Sequence, residues 1–397
     1  MHIRPPSVAN ARPPERERSS DDAAVRPATR RRMNPPDAAL EGLAALRPQP
    51  VPPAQSVPPT QPGTSAPPPA AKPVFDRDLA WTHYPELTQY LQEREDALGL
   101  NTVSQTWDIN DIDHMESLVE GLNLADPGLK LDYYQELWSD DASVAAIHTA
   151  ALAERLQAEL GKGGAWRAVV DYGEHRNAIS VQCSASSNDV SIVLVDSTTE
   201  NSAHTAHVRQ RWADVLNEIS AAAQARLGPD TPPVRVHMAL LSSGVQKAPE
   251  GCCIFALSAA KKMASEGAIR ELHTRTLDDV AQGRAQPGVE WQDASPRLPP
   301  AFFKHATSRA VVEEYLKVLS QRDPAAAQAS VNKHGKTLLQ RYDDNFVQRD
   351  DLIEEKKVSY SMSYEEKRIE MIKTALTHLT AKPPQDAEAQ STSARGR

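Results

Sequence analysis

The chain has 397 residues, an apolar content of 40% and a formal net charge of −9, a composition typical of a globular protein with one or two domains. No run approaches the roughly 18 apolar residues that cross a bilayer, so we expect no transmembrane segment. The acidic balance and the 5% aromatic content argue against nucleic acid as the main partner, and three cysteines, two of them adjacent, exclude a disulfide framework and favour a reducing compartment.

The N-terminal segment is rich in proline and is predicted to be disordered. Eighteen of the 31 prolines lie before residue 76, and proline interrupts both helices and strand ladders. The same segment holds ten of the 44 basic residues and six of the 53 acidic ones, so the remainder of the chain is acidic. We predict a disordered leader over residues 1–76 and a loose polar tail over residues 382–397.

Between these ends, apolar spacing predicts helices first and a β section second. Residues 77–160 are predicted to be largely helical, because apolar residues recur near helical spacing towards residue 160. Strands are then predicted at 166–171, 177–183, 190–195 and 234–241. A helix is predicted at 208–227, between the third and fourth strands, and a cysteine-bearing helix at 252–263. This order predicts an α+β fold in which the last helix packs against a mostly antiparallel sheet.

A further helical region is predicted from residue 301 to residue 381. It contains a helix near 309–319, a turn at 334–336 and a helix at 364–380. Ser363 and Glu366 have the spacing of a capping box at the start of the last helix.

Cys252 and Cys253 open the predicted cysteine helix. A helix N-terminus presents free N–H groups and partial positive charge, which favour a thiolate and can hold an oxyanion. A cysteine in an apolar run is more often a small core residue, so a reactive thiol requires partners.

A base and an acid flank the predicted hairpin. His175 precedes the strand at 177–183, and Asp196 follows the strand at 190–195. Because the start of one hairpin strand lies opposite the end of the next, we expect both residues at one sheet edge, where the carboxylate holds the imidazole in the tautomer of a base. With Cys252, these residues would form the nucleophile, base and orienter of a cysteine hydrolase or acyltransferase.

Four sequence blocks resemble those of the YopJ family, bacterial type III effector acetyltransferases with a fold like that of the ubiquitin-like-protein cysteine proteases. Three resemble its catalytic blocks, and the fourth resembles its Phe-Tyr/Phe-Lys-His-Thr segment; they read HRNAISVQ at 175–182, IVLVD at 192–196, EGCCIFALSAAKK at 250–262 and FFKHAT at 302–307. The resemblance covers about residues 80 to 380. It implies a catalytic core over 77–300 and a regulatory region over 301–381.

The resemblance assigns a role to each candidate. It implies that His175 is the base, Asp196 the acid and Cys252 the nucleophile, since the family has one variable residue after its cysteine and Cys253 stands there. Gln246 lies six residues before Cys252, the offset at which related cysteine hydrolases place an oxyanion-hole glutamine. Asp196 departs from the Glu of many members.

The resemblance also implies ligands and a place of action. Acetyl-CoA would donate the acetyl group, inositol hexakisphosphate would activate the enzyme, and host protein substrates would accept the group on Ser, Thr or Lys after type III secretion. Lys262, ten residues into the cysteine helix, is the candidate for a CoA phosphate. The candidates for the activator are Lys304, His305, Lys333, Lys336 and Arg341. Lys304 also matches a lysine that members auto-acetylate.

Several alternatives stay open. A cysteine protease or isopeptidase for ubiquitin-like conjugates uses the same catalytic residue types, although the block at 302–307 favours transfer. A non-catalytic effector could bind host proteins through the same fold. No metal-ligand spacing occurs, so we expect no metal site. Oligomeric state, and action in the nucleus or the cytoplasm of the host, are left open.

Overall fold

The computed structural model describes residues 72–99, 111–135, 142–171, 175–198, 202–247, 251–351 and 356–382. These residues all belong to one compact unit, Pro69–Arg397. The predicted leader up to residue 71 and the predicted tail after residue 382 lie outside the described residues.

A six-stranded sheet forms the centre of the unit, with its strands side by side in chain order. They are β1 (Leu131–Tyr134), β2 (Ala165–Asp171), β3 (Arg176–Cys183), β4 (Asp189–Asp196), β5 (Arg235–Ser242) and β6 (Gly288–Asp293). The β2–β3 and β3–β4 pairs are antiparallel, whereas β1–β2, β4–β5 and β5–β6 are parallel.

The predicted α+β fold class is confirmed, but the sheet is mixed rather than mostly antiparallel. Each parallel pair is joined by a connection that contains at least one helix, and a crossover of that length returns the chain to run parallel. β1 lies in the region predicted to be largely helical, and β6 was not predicted. The four predicted strands are all present.

Helices cover the sheet and continue beyond it. The α-helices are α1 (Arg77–His83), α2 (Pro85–Gly99), α3 (Met115–Ala125), α4 (Ala142–Glu159), α5 (Ser202–Leu227), α6 (Cys252–Ser265), α7 (Gly267–Ala281), α8 (Arg309–Arg322), α9 (Pro324–Gln328), α10 (Leu338–Asp344) and α11 (Ser363–Ala381). Single 3-10 turns lie at Pro127–Leu129 and Pro300–Phe303, and a second hairpin consists of β7 (Phe346–Asp351) and β8 (Lys356–Ser361). The predicted capping box is absent: α11 is capped by Met362, which makes no side-chain cap hydrogen bond.

Alternation along the strands divides the core between two faces of the sheet. Ile192 and Leu194 of β4 belong to the same buried cluster as Trp212 of α5. Val193 and Val195 belong to the other cluster, which contains the residues of α6. Since successive side chains of a strand point to opposite faces, α5 and α6 are held on opposite sides of the sheet.

The helical layer around α11 is drawn from both ends of the described chain. α11 packs against α2, α3 and α6, and its buried Arg368 forms ion pairs with the carboxylates of Asp111 and Glu365. The hydroxyl of Tyr90 on α2 donates to Asp111. A buried guanidinium needs such partners, because an unpaired charge in the core is strongly destabilising. The division at residue 300 into core and regulatory region stays a prediction.

Candidate active site

His175 and Asp196 meet at one end of the β3–β4 hairpin. His175 directly precedes β3 and Asp196 is the last residue of β4, and the strands pair with Ala178 opposite Val195. The His175 Nε2 atom lies 2.9 Å from Asp196 Oδ1, and both side chains are buried. The proximity that the hairpin predicts is present.

The Asp196 carboxylate is fixed by more than the histidine. The N–H and the hydroxyl of Thr198 each donate to Oδ1 at 2.8 Å. Burial alone would raise the pKa of Asp196, but the hydrogen bonds from His175 and Thr198 outweigh it and lower the pKa. Because Nε2 of His175 faces this ionised carboxylate, Nδ1 is the ring nitrogen left to hydrogen-bond Cys252.

Cys252 is the first residue of α6, which packs against β2 and β3. Its side chain is buried, and the residue before it, Gly251, is the helix N-cap with a φ of 109°. An L-residue rarely adopts that backbone conformation, so glycine is what lets the chain turn into the helix at this point. The N–H groups of the first helical turn lie next to the thiol and lack intrahelical acceptors.

Electrostatics at the site favour a charged thiol and a charged imidazole. Burial would lower the pKa of His175, but hydrogen bonds to Asp196 and Cys252 raise it to about 10. The pKa of Cys252 lies well below that of an ordinary thiol, chiefly because Cys253 donates a hydrogen bond to it, with His175 and Arg176 adding to the effect against burial. The pKa of Cys253 is raised in turn by Cys252 and by burial. These directions favour Cys252 as the thiolate of the pair and Cys253 as its hydrogen-bond donor.

Gln246 is held beside the acid of the site. The Ser197 hydroxyl donates to Gln246 Oε1 at 2.8 Å, and the Gln246 N–H donates to the Ser197 carbonyl at 2.8 Å. Ser243 is bonded to the Asp196 carbonyl by its N–H and its hydroxyl, at 2.9 and 2.7 Å. The Ser197 hydroxyl thus engages the oxygen of the buried Gln246 side chain, and the NH₂ group is the part of that side chain that can donate a hydrogen bond.

The block at 302–307 is attached to the Gln246 segment. The Thr307 N–H donates to the Val245 carbonyl at 2.8 Å, and the Lys247 N–H donates to Thr307 Oγ1 at 2.8 Å. Thr307 is fully buried. Its position in the resembling block made it visible in the sequence, but its hydrogen bond with Lys247 spans 60 residues and no local pattern indicates it.

A pocket of about 470 Å³ lies between α6, α11 and the segment after Pro300–Phe303. Its basic lining residues are Lys261, Lys262, Lys304, His305 and Lys367. Burial, followed by the charges of Lys367 and Lys304, lowers the pKa of Lys262 to about 7. Burial also lowers the pKa of Lys304 and holds that of His305 well below its usual value. Asp126 is the acidic lining residue, and the basic groups gathered around it would gain charge beside a polyanionic ligand.

The six residues proposed for phosphate binding separate into two groups. The pocket just described, called the lysine pocket from here on, is lined by Lys262, Lys304 and His305. The Arg341 charge lowers the pKa of all three. Lys336 instead forms an ion pair with Asp344 at 2.6 Å, and Lys333 is exposed. Neither residue lines the pocket.

Sequence reasoning did not assign Lys261 or Lys367 to the pocket. Lys261 adjoins the assigned Lys262, which is a local signal. Lys367 enters from α11, and its spacing carries no such signal.

A second, smaller cavity lies between the lysine pocket and the Gln246 segment. Its volume is about 20 Å³, which is room for about one water. It shares Ser258, Lys262 and His305 with the lysine pocket, and Ser197, which binds Gln246, lines its other side. The lysine pocket and the Gln246 segment therefore border the same internal space.

The described residues contain neither a metal-ion cluster nor a membrane-spanning helix. No group of three or more His, Cys, Asp or Glu residues there is arranged to hold a metal ion. None of the helices in the described part of the chain has the length and apolarity to traverse a membrane.

A buried cysteine at a helix start, next to a histidine that a carboxylate holds, is the thiol-activation arrangement shared by cysteine hydrolases and acyltransferases. The model of the family described as YopJ Serine/Threonine acetyltransferase matches residues 87–374 of this chain. The match spans well over half of the chain, and the protein belongs to that family. Comparison with curated proteins by sequence gives no significant match.

Solved structures share the fold. AvrA delL154 with IP6 and CoA is 22% identical over 74% of this chain and 98% of its own, with a TM-score of 0.54. HopZ1a in complex with IP6 and CoA is 17% identical over 76% of this chain and 96% of its own, with a TM-score of 0.56. At these identities the likeness establishes the fold.

Proposed function

We propose that this protein is an effector acetyltransferase that carries an acetyl group from acetyl-CoA, through a thioester on Cys252, to Ser, Thr or Lys side chains of host proteins. Inositol hexakisphosphate is its activator, and a type III system delivers it into the host cell. The observation that carries the proposal is the series Cys252, His175 and Asp196 beside a lysine-lined pocket, in a chain of the YopJ family.

The first half-reaction forms the acetyl-enzyme. In the resting enzyme His175 already carries the proton of Cys252 and Asp196 holds the ring, so the thiolate attacks the carbonyl carbon of the acetyl thioester. The Gln246 amide and the first N–H groups of α6 stabilise the oxyanion. The C–S bond to CoA then breaks, and the departing thiolate receives the proton from His175.

The second half-reaction transfers the group. His175, now neutral, accepts a proton from the incoming hydroxyl or amine, whose oxygen or nitrogen attacks the Cys252 thioester. The bond between the acetyl carbon and Cys252 breaks, and the cysteine leaves as a thiolate. That thiolate is the state that the pKa directions of Cys252 and His175 favour, so the cycle returns to its stable resting form.

The lysine pocket fits a polyphosphate. Lys262, which the resemblance gives to CoA, lines the same pocket as Lys304 and His305, so a single ligand with several phosphates can contact all three. A bound polyanion supplies the negative charge that allows these crowded groups to be protonated together. Inositol hexakisphosphate is assigned here because its phosphates surround one compact ring, whereas CoA carries its phosphates along an extended chain.

The acetyl-enzyme is the test. Purified protein is incubated with acetyl-CoA, with and without inositol hexakisphosphate, and the acetylated residue is located by peptide mass spectrometry. We expect an activator-dependent acetyl group on Cys252 that is lost in Cys252→Ala. Cys183→Ala is the matched control, because Cys183 lies in the cluster on the other face of the sheet and burial raises its pKa to about 12.

Two outcomes would favour the alternatives. Cleavage of a ubiquitin-like conjugate without acetyl uptake would indicate an isopeptidase with the same triad. Effects in host cells that persist unchanged in Cys252→Ala would indicate a non-catalytic binding protein. If acetyl uptake is found, acetylated peptides enriched from host cells by wild type over Cys252→Ala identify the targets.

A further inference from the structure

Arg176 lies against the sulfur of the proposed nucleophile. Its Nη1 atom donates towards Cys252 Sγ at 3.9 Å, and the residue is only 8% exposed. A guanidinium keeps its proton at every working pH, so this contact places a permanent positive charge beside the thiol. Arg176 follows His175 directly and begins β3, so one strand end supplies both cations.

Asp171 fixes the guanidinium in that position. It lies opposite Arg176 in the β2–β3 register, and its Oδ2 accepts from Arg176 Nη2 at 3.1 Å. Asp171 is itself buried. One edge of the guanidinium is therefore anchored to the neighbouring strand while the other nitrogen meets the sulfur, and little side-chain freedom remains to be lost in the contact.

We propose that Arg176 acts as a second cation beside the Cys252 nucleophile. Together with His175, Arg176 stabilises the negative charge of the thiolate. This inference rests on the proposed role of Cys252. Burial disfavours a thiolate, and the imidazolium next to it is partly neutralised by Asp196. The charge of His175 is lost in the first half-reaction and regained in the second, whereas the charge of Arg176 stays constant.

Other titratable groups lie around the same sulfur, and any test must separate their effect from that of Arg176. Cys253 donates to Cys252 from the next position of α6, and the charge of Asp111 raises the pKa of Cys253. The charge of Cys253 in turn raises the pKa of Tyr133 of β1. The carboxylates that face the two cations are Asp171, on Arg176, and Asp196, on His175.

The competing role for Arg176 is structural, since its pair with Asp171 also closes the β2–β3 hairpin. A structural residue would change stability without changing the ionisation of Cys252 in the folded protein. The ionisation is therefore the quantity to measure, and it requires neither acetyl-CoA nor turnover.

The experiment follows the rate of Cys252 alkylation by iodoacetamide against pH in the full chain, with the modified cysteine identified by peptide mass spectrometry. Arg176→Gln should raise the apparent pKa of Cys252 by about one to three units, the usual effect of an adjacent opposite charge. Arg176→Lys, which keeps the charge, should raise it less. The matched control is Arg235→Gln, because Arg235 pairs with Asp189 at the start of β4 and should leave the profile unchanged.

A folded Arg176→Gln with the wild-type profile would overturn the proposal. If thermal melting shows that this variant does not fold, the double variant His175→Gln, Cys253→Ala decides, since it removes the other two side chains that lower the Cys252 pKa and Arg176 must then keep that pKa below about 8.5, the value of an ordinary thiol. A value at or above about 8.5 in the double variant overturns the proposal, and a lower one supports it. Failure of the proposed function is a separate result: wild type would take up no acetyl group while Arg176→Gln still shifted the alkylation profile.

Discussion

Thr307 is hydrogen-bonded to the backbone on both sides of Gln246. Its N–H and its hydroxyl donate to the Val245 carbonyl, at 2.8 and 3.1 Å, and its Oγ1 accepts from the Lys247 N–H at 2.8 Å. Thr307 lies three residues after Lys304, which lines the lysine pocket. One short segment therefore borders the lysine pocket at one end and fixes the candidate oxyanion donor at the other.

Thr307→Val should impair turnover more than activator binding. Valine keeps the shape of the side chain but removes the acceptor of the partly buried Lys247 N–H, which costs up to about 1–3 kcal/mol. We expect the rate of acetyl transfer to fall about ten- to a hundredfold, while the affinity for inositol hexakisphosphate, measured by calorimetry, stays near that of wild type. Thr307→Ser should retain most activity. Normal turnover at saturating activator, with weakened binding instead, would contradict this link.

Lys262→Met should stabilise the free protein and weaken activator binding. Because the native pKa of Lys262, about 7, lies below its ordinary 10.5, the unfolded chain binds more protons between these values and the ammonium opposes folding there. Removing it should raise the melting temperature at pH 7.5 without ligand. The further rise on adding inositol hexakisphosphate should shrink, with affinity reduced about tenfold or more, about 1.4 kcal/mol.

The control for that variant is Lys333→Met, since Lys333 belongs to the same predicted set but is exposed and does not line the pocket. Both of its melting temperatures should match wild type. Equal loss of ligand stabilisation in the two variants would mean that net charge, rather than the pocket, governs binding.

Contacts between residues close in the sequence were easier to predict than contacts between distant ones. The His175–Asp196 contact was predictable, because a short turn fixes which ends of β3 and β4 meet. The parallel pairs were not recognised, although strand–helix–strand order is a signal for them. β1 has only four residues between helical segments, too few to interrupt a helical pattern.

The lysine pocket depends on contacts that no local pattern encodes. Lys262 and Lys304 were candidates because they stand in recognisable blocks, whereas Lys367 arrives from α11, more than a hundred residues after α6. Lys336 had the right charge and neighbourhood in sequence, but its partner is Asp344 on α10. Arg176 stood inside a recognised block, and only the coordinates bring its guanidinium to the sulfur.

The thiolate–imidazolium pair should give the folded protein a stability plateau that ends at about pH 8.5. His175 has a raised native pKa, about 10, so its contribution is complete below the unfolded value of 6.5 and is lost as pH rises towards 10. Cys252 has a lowered native pKa, so its contribution is complete above its unfolded value of about 8.5 and is lost as pH falls. Where both slopes apply, up to about pH 8.5, they cancel.

Urea unfolding at a series of pH values checks this expectation. The free-energy difference between wild type and the double variant His175→Gln, Cys252→Ser should be level just below about pH 8.5 and should fall as pH rises from there towards 10. A difference that already falls between about pH 7.5 and 8.5 would mean that Cys252 is a neutral thiol in the folded protein over that range.

Gly251→Ala should damage both stability and the nucleophile. Gly251 has a φ of 109°, and a Cβ there would lie 3.3 Å from Phe255 and 3.4 Å from Tyr364. The strained backbone costs about 1–3 kcal/mol and would shift the start of α6, where Cys252 must face His175.

Gly283→Ala is the control that has a strained backbone but lies away from the start of α6. Gly283 has a φ of 68° and open space around it, so the variant should lose about 1 kcal/mol or slightly more of unfolding free energy. Alkylation of Cys252 at pH 7 should slow in Gly251→Ala and match wild type in Gly283→Ala; equal rates in both variants would show that the entry to α6 does not control the thiol.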